Sequence, residues 1–297
     1  MVATQMPKVT VDGTALRYEI LGSGDPVILT PGGRMSLDIP GLRPLGERLA
    51  ERMTVVLWDR PNTGGSDFNF SGETESAMAA DHLAGLIKAL DLGPTVIAGG
   101  SAGSRVSVLC AGRHPEVVKK LVVWMMSGGP FGTTVLAHYV HPLISEAMVA
   151  GMEGVANLPE WAENLALNPA GRDQLLALDT DDFISVMLRW MLAYIPRPDE
   201  PLPGVSNDLL AAIKAPTLIF ANGNEDLYHP YEVSVAVHEQ IDGSRLVAPP
   251  WGEAEFVEAS RRRRAGTGDL FDGWHLLAPG ILDFVSEVTT SASLTSR

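Results

Sequence analysis

The sequence predicts an α/β protein with a doubly wound, mostly parallel β-sheet. Strand-like and helix-like segments alternate through most of the 297 residues, and strand-like segments such as PVILT at 26–30 are almost wholly apolar. Continuous apolar strands are typical of sheets that helices cover on both faces. The chain is also long enough to bury a sizeable core as one domain with an insertion.

The segments before residue 130 follow this alternation from the start. One helix is defined by apolar residues at helical spacing and is ended by Gly93; the apolar positions are Ala79, Leu83, Leu86, Ile87 and Leu90. In order, the patterns predict a hairpin around Asp12-Gly13, a strand at 26–30, a helix at 42–52, a strand at 53–59, a helix at 74–92, a strand at 95–99, a helix after Ser101 and a strand at 118–126.

The alternation stops for residues 131–206, which read as consecutive helices ended by the proline-rich PRPDEPLPG. It then resumes with a helix at NDLLAAIK, a strand at 216–223, a helix at 231–241, a strand at 244–250 and a last helix at LLAPGILDFVSEV. The sequence therefore predicts a core of residues 1–130 and 207–297. Residues 131–206 would form a helical cap over the carboxyl edge of the sheet, where ligands bind in open α/β folds.

Composition excludes several classes of partner. The formal net charge of −14 argues against binding the nucleic-acid backbone, and the single cysteine, Cys110, allows neither an internal disulfide nor a cysteine-based zinc site. The first residues lack the basic stretch followed by an apolar stretch that is typical of a secretory leader. No apolar run is long enough to span a bilayer. We expect a soluble, cytoplasmic protein with no membrane partner.

Ser101 lies at a tight corner between a strand and a helix. In GGSAG the glycines at 99, 100 and 103 surround this serine, so a side chain at any of them would obstruct close backbone passage. Two interpretations stand side by side. The serine is a reactive group at the apex of a strand–turn–helix corner, or it caps the helix that follows.

The chain resembles the α/β-hydrolase superfamily on two segments. GGSAG matches that family's nucleophile-elbow pattern G-x-S-x-G in its strand–turn–helix context, and VVLWDRPNTGGSD is similar to its D-x-R-G-x-G-x-S-D segment through Asp59, Gly64, Ser66 and Asp67. Pro61 and Asn62 replace the usual arginine and glycine without removing a catalytic group. The resemblance implies an eight-stranded sheet with an inserted cap, and Ser101 as nucleophile.

A serine hydroxyl needs a base, and the base needs an orienting acid. The family order along the chain is serine, acid, histidine, which points to His275 in DGWHLLAP just before the final helix. The remaining histidines fit this placement less well; they are His82, His114, His138, His141, His229 and His238. His229 in particular lies too soon after the seventh strand for the family order.

For the acid, PTLIFANGNEDLYHP resembles the family's strand followed by G-x-x-D. This places the carboxylate at Asp226, three residues after Gly223, with Glu225 as its nearest competitor. Asp226 could also cap the following helix. The order and setting of serine, acid and histidine favour the catalytic interpretation.

An oxyanion needs hydrogen-bond donors as well. The family takes one from the backbone N–H after the nucleophile, here Ala102, and one from the loop after the third strand, here TPGGRMS. Gly33 is in register to donate, with Gly32 as the alternative. A glycine-rich turn without any catalytic role is the simpler reading of this loop.

Substrate contacts are predicted at Arg34, which could bind a substrate carboxylate or face water, and at Trp190, which could line the pocket from the cap or only pack in it. The run from Arg261 to Arg264 could receive an anionic substrate or form a solvated helix face. We expect the segment from Trp251 to Gly268 to border the opening to Ser101.

These residues together predict a serine hydrolase that cleaves a small carboxylic ester or related acyl compound, without cofactor or metal. GGSAGS also resembles the elbow of proline iminopeptidases, so an amide or peptide substrate is an alternative. A lyase, a cofactor-free oxygenase or a ligand receptor could use the same fold.

Overall fold

The centre of the molecule is a twisted sheet in the order β1-β2-β4-β3-β5-β6-β7-β8. A computed structural model describes residues 6–129 and 132–287. The strands are β1 Lys8–Val11, β2 Thr14–Gly22, β3 Asp25–Thr30, β4 Met53–Trp58, β5 Thr95–Gly100, β6 Val118–Trp124, β7 Thr217–Phe220 and β8 Arg245–Val247. Only β2 pairs antiparallel with its neighbours β1 and β4; the other pairs are parallel.

The helices follow the strands as the sequence predicts. They are α1 Leu42–Ala50, α2 Glu75–Ala89, α3 Ala102–Arg113, α4 Gly132–Tyr139, α5 His141–Ala156, α6 Ala162–Leu167, α7 Gly171–Leu176, α8 Thr180–Leu192, α9 Asn207–Ala212, α10 Tyr231–Gln240, α11 Glu255–Arg264 and α12 Ala278–Ser286. Short 3₁₀ turns lie at Pro115–Val117, Pro159–Trp161 and Asp272–Leu277. Val288, the last residue of the predicted final helix, lies outside the described residues.

Both faces of the sheet are buried, which confirms the doubly wound prediction. Successive side chains of a strand point to opposite faces. Accordingly, Ile97 of β5 packs in a cluster with α2 and α3, whereas its neighbours Val96 and Ala98 pack in a second cluster with α1 and α12. The central strands are apolar throughout because each face needs its own set of buried side chains.

The hairpin between β1 and β2 turns where the sequence places it. Asp12 and Gly13 both have positive φ, 47° and 80°, as a two-residue type I′ hairpin turn requires. Aspartate and glycine are among the residues that adopt this conformation at low cost.

The chain between β6 and β7 is helical and has its own apolar cluster. Trp161, Phe183 and Trp190 are buried in it, and core residues such as Phe68 and Phe70 pack against it. That residues 131–206 form a cap domain stays a prediction, and its first residue, Phe131, lies outside the described residues. Within the described ranges, no helix combines the length and apolarity needed to cross a bilayer.

Candidate active site

Ser101 occupies a strained corner between β5 and α3. Its φ of 55° and ψ of −123° lie outside the regions that non-glycine residues normally adopt. The backbone N–H of Ser101 donates to the carbonyl of Trp124 at 3.1 Å, which ties the corner to the end of β6. The hydroxyl makes no capping bond to α3. Ser101 is therefore the N-cap residue of α3 by position, but its hydroxyl does not do the capping that the alternative interpretation assigned to it.

The glycines around Ser101 permit close backbone contacts. A Cβ at Gly99 would lie 2.4 Å from the carbonyl oxygen of Gly103, and one at Gly103 would lie 2.2 Å from the carbonyl oxygen of Thr30. A Cβ at Gly100 would lie 2.2 Å from the indole nitrogen of Trp124. Real Cβ atoms do not approach other atoms this closely, so the predicted need for glycine at all three positions is confirmed.

A chain of hydrogen bonds links Ser101 to His229 and Asp226. Nε2 of His229 lies 3.2 Å from Oγ of Ser101, and Nδ1 of His229 lies 2.9 Å from Oδ2 of Asp226. One tautomer satisfies both contacts: Nδ1–H donates to the carboxylate, and Nε2 accepts from the hydroxyl. The side chains of His229 and Asp226 are only 4% and 5% exposed, so solvent does not compete for this pair.

The short loop after β7 holds the histidine and the carboxylate together. Oδ1 of Asp226 accepts the backbone N–H groups of Tyr228 at 2.9 Å and His229 at 3.1 Å. These bonds fold the chain back over itself and leave Oδ2 for the imidazole ring. The ring also packs edge-on against Phe256 of α11, with 4.9 Å between ring centroids. The loop thereby fixes both the position and the orientation of the imidazole.

Asn222 anchors the same loop to the end of β6. Its side-chain amide bonds both the N–H and the carbonyl of Met126, at 3.0 and 2.9 Å, and donates to the carbonyl of Pro230 at 3.0 Å. Pro230 directly follows His229 and precedes α10. Asn222 therefore fixes the far end of the loop relative to the strand next to Ser101.

The structure does not place His275, the predicted base, beside Ser101; the histidine there is His229. His275 lies in the 3₁₀ turn Asp272–Leu277, where its Nδ1 pairs with the carbonyl of Asp272 at 2.6 Å. It does not line the cavity at Ser101 and does not hydrogen-bond Ser101 or Asp226. The neighbouring Trp274 and Leu277 are buried against α1 and α12 and hold this turn there.

Burial distinguishes Asp226, the predicted acid, from its competitor Glu225. Asp226 is buried beside the imidazole, whereas Glu225 is exposed. Asp226 does not cap α10, because the cap position there is Pro230. The sequence signal for His229 was its spacing of three residues from Asp226 just before a helix. In such a turn, a carboxylate can bond both the backbone and the side chain of the third residue.

The two predicted oxyanion residues flank Ser101 in the cavity. Ala102 is the first residue of α3, where the helix supplies no acceptor for its N–H. Gly33 has a φ of +49°, and Arg60 Nη2 donates to its carbonyl oxygen. Gly32 lies against Ser101, since a Cβ there would be 3.1 Å from the Cβ of Ser101. The loop after β3 therefore passes beside the serine as expected.

Asp59 connects that loop to the segment after β4. Its carboxylate accepts the backbone N–H of Leu37 at 2.6 Å and of Gly65 at 2.7 Å, and pairs with Arg17 at 3.1 Å. Burial raises the pKa of Asp59 to about 6, while Arg17 and the two N–H groups act in the opposite direction. The residues that resemble the family's second segment thus support the loop that carries Gly33.

The cavity at Ser101 has a volume of about 420 Å³, within the range of small-molecule sites. Its walls are mostly apolar and aromatic and include Met35, Val106, Tyr139 and Tyr194. Residues of α4 and Tyr194, just after α8, reach it, so the helical segment after β6 forms part of the wall. Phe256 and Arg263 also line it, as expected for the segment from Trp251 to Gly268.

Arg34 follows neither of its two predicted roles, whereas Trp190 follows the packing alternative rather than the substrate contact. Arg34 reaches the cavity, but its guanidinium pairs with Glu75 at 3.0 Å and Glu160 at 3.1 Å and bonds the carbonyl of Tyr139. These ion pairs keep the pKa of Arg34 above its usual value, although burial alone lowers it. Trp190 is fully buried in the helical cluster, away from the cavity wall. Arg34 therefore joins the two parts of the molecule, and Trp190 packs between helices.

The arginine run on α11 is mostly in solvent. Arg261, Arg263 and Arg264 are exposed, and Arg262 pairs with Glu255 at 2.6 Å rather than with Glu258. A solvated helix face accounts for Arg261 and Arg264, whereas Arg263 also lines the cavity and lies 3.7 Å from Asp269. Recognition of an anion by this run stays a prediction.

Comparison with known proteins agrees with this fold. Residues 25–172 match a family model described as the alpha/beta hydrolase fold. The chain is 28% identical to human serine hydrolase BPHL over 83% of this chain and 79% of that one, and 28% identical to the putative carbamate hydrolase RutD of Azorhizobium caulinodans over 84% and 92%. The enol-lactonase of Burkholderia xenovorans superposes with a TM-score of 0.60 at 19% identity, over 95% of this chain and all of that one.

The sheet order, the corner at Ser101 and the matched family model define the class of protein. The chain belongs to the α/β-hydrolase superfamily. The relatives named above are hydrolases by name, so hydrolysis is the activity that family and relatives have in common.

Proposed function

We propose that the protein is a serine hydrolase that cleaves a carboxylic ester or related acyl compound through an acyl-enzyme. The observation that carries the proposal is the hydrogen-bonded series Ser101–His229–Asp226 at the wall of the cavity. Nucleophile, base and orienting acid are the three groups that acyl transfer needs from a serine enzyme.

In the first half-reaction, Oγ of Ser101 attacks the acyl carbon while its proton moves to Nε2 of His229. Asp226 holds the ring in the receptive tautomer and stabilises the imidazolium that forms. The N–H groups of Ala102 and Gly33 donate to the negative oxygen of the tetrahedral intermediate. His229 then returns the proton to the departing alcohol.

In the second half-reaction, water attacks the acyl-serine and gives its proton to His229. Collapse of the second tetrahedral intermediate releases the acid and returns the proton to Oγ of Ser101. Each half-reaction uses the same donors for the oxyanion. The overall chemistry consumes one water and yields one acid and one alcohol.

Ser101→Ala tests the proposal in a turnover screen of simple esters, lactones, amides and aminoacyl arylamides. The variant should fold normally and lose activity on the order of 10⁴-fold or more, because no other nucleophile is available for the covalent step. Retained wild-type turnover would refute the serine mechanism. Faster cleavage of amides or aminoacyl arylamides than of esters would instead favour the amidase alternative.

A further inference from the structure

Two buried arginines in the cavity have donors without partners. In the described part of the chain, Nε of Arg60 and Nη1 of Arg105 are buried and form no hydrogen bond. The two residues are 7% and 4% exposed, and both line the cavity with Ser101. Guanidinium groups seldom lose water in this way unless an anion or a set of acceptors replaces it.

Each of these arginines is only partly satisfied by the protein. Nη2 of Arg60 donates to the carbonyls of Gly32 and Gly33. Nε of Arg105 donates to the hydroxyl of Ser76 at 2.8 Å and Nη2 to the hydroxyl of Tyr194 at 3.5 Å, and the guanidinium lies 5.0 Å from the ring centroid of Tyr194. Within the residues that the structure describes, neither arginine pairs with a carboxylate.

The charges around the cavity leave an excess of positive groups. Glu75 also lines it, but both of its oxygens are bound by Arg34, which takes Glu160 as a second partner. Burial lowers the pKa of Arg60 and the charge of Arg105 acts in the same direction, while Glu75 acts in the opposite direction. A monoanion placed between the two arginines would offset the burial and the charge of Arg105 and accept from the unpartnered N–H groups.

We propose that Arg60 and Arg105 bind a carboxylate carried by the substrate, so that the enzyme prefers acyl compounds with a free acid group. The two oxygens of a carboxylate match the fork of a guanidinium, and the mostly apolar wall suits the carbon skeleton of an organic acid. This inference deepens the proposed function, because the anion would bind in the cavity that holds Ser101.

Binding to the Ser101→Ala variant tests the inference without turnover. Calorimetry at constant ionic strength would compare valerate with valeramide and glutarate with glutaramide, pairs that differ only in the acid group. We expect the acids to bind at least about tenfold more tightly than the amides. Equal binding of acid and amide, or stronger binding of inorganic phosphate than of any carboxylate, would overturn the proposal.

Arg105→Gln locates the effect, with Arg113→Gln as matched control. Arg113 is on the same helix, but at its far end, where it pairs with Asp81. Arg105→Gln should lose at least about tenfold in affinity for the acids and nothing for the amides, whereas Arg113→Gln should bind like the parent. Undiminished acid binding in folded Arg105→Gln would contradict the assignment. If that variant does not fold, the comparison of acids with amides on the Ser101→Ala parent still shows whether the cavity binds a carboxylate.

Kinetics separates this inference from the proposed function. Monomethyl glutarate and methyl valerate differ in a terminal carboxylate against a methyl group, and we expect a higher kcat/KM for the first. If Ser101 is required but both esters react equally and the acids bind no better than the amides, only the carboxylate site fails. If acids bind tightly but Ser101→Ala leaves turnover unchanged, only the serine mechanism fails.

Discussion

At the scale of single residues, Asp226 has two separable tasks. Oδ1 shapes the loop by accepting two backbone N–H groups, and Oδ2 holds the imidazole of His229. An asparagine retains an oxygen for the first task but loses the charge that the second task requires. The proposed mechanism therefore depends on the carboxylate beyond its role in the turn.

Asp226→Asn should fold like the wild type and lower kcat by about 10²- to 10⁴-fold, because the amide cannot stabilise the imidazolium and favours the wrong tautomer. The measurement is ester turnover together with the thermal unfolding midpoint. Glu225→Gln, at the exposed neighbour, is the control and should leave kcat unchanged. Equal kcat in the two variants would show that Asp226 serves the loop alone.

At the scale of elements, the ends of β6 and β7 are joined by one buried amide. Asn222 bonds Met126 after β6 and Pro230 before α10, and its own backbone N–H donates to the hydroxyl of Ser234 at 3.0 Å. The bonds to Met126 and Ser234 are buried and the bond to Pro230 is partly buried, so the loss of the amide leaves polar groups unpaired away from water. The loop that carries His229 depends on this connection between elements.

Asn222→Ala should reduce the free energy of unfolding by about 1–3 kcal/mol and lower kcat more than it raises KM. The physical reason is a looser His229, while the cavity wall itself is unchanged. Urea unfolding and steady-state kinetics measure the two effects. Asn224→Ala is the control, because that exposed amide bonds Glu253 and, among the described residues, does not reach Met126 or Pro230. A stability loss with wild-type kcat would show that Asn222 does not position the base.

At the scale of the whole molecule, the helices between β6 and β7 are held by a cluster of large aromatic side chains. Trp190 is fully buried there, and its ring centroid is 5.8 Å from that of Phe70, which belongs to the core segment after β4. Arg34 adds ion pairs between the same two parts. Packing and charge together keep the helical segment over the cavity.

Trp190→Ala should lower the free energy of unfolding by about 3–5 kcal/mol through the cavity it creates. Leu192→Ala on the same helix is the control; its side chain is 53% exposed, so the expected change is within about 0.5 kcal/mol. Urea unfolding gives both values. A large rise in KM for Trp190→Ala without loss of stability would instead support the substrate contact that the sequence suggested.

Much of this molecule could be predicted from its sequence because local signals and tertiary structure agree. Apolar strands, the Asp12-Gly13 turn and the glycines around Ser101 each report a backbone requirement that only certain residues meet. The base could not be found in this way. Family order favoured His275, but whether a histidine reaches the serine depends on how the loop after β7 folds and where the long segment after β8 places its turn.

The two buried arginines, Arg60 and Arg105, also could not be predicted as functional residues from the sequence. Arg60 and Arg105 lie in the two segments that resemble the family, but the family patterns there are defined by other residues, Asp59 and Ser101. From sequence alone, an arginine is expected at the surface, since charged side chains are seldom buried. Their significance follows from burial and missing partners, which only the packed structure supplies.

The central claim is that His229, and not His275, activates Ser101. A serine-directed fluorophosphonate, followed by intact-mass spectrometry, measures the rate at which Ser101 is labelled in wild type, His229→Gln and His275→Gln. We predict labelling about 10²-fold slower or more in His229→Gln, because the general base is gone, and a wild-type rate in His275→Gln. A wild-type rate in His229→Gln with slow labelling in His275→Gln would contradict the account.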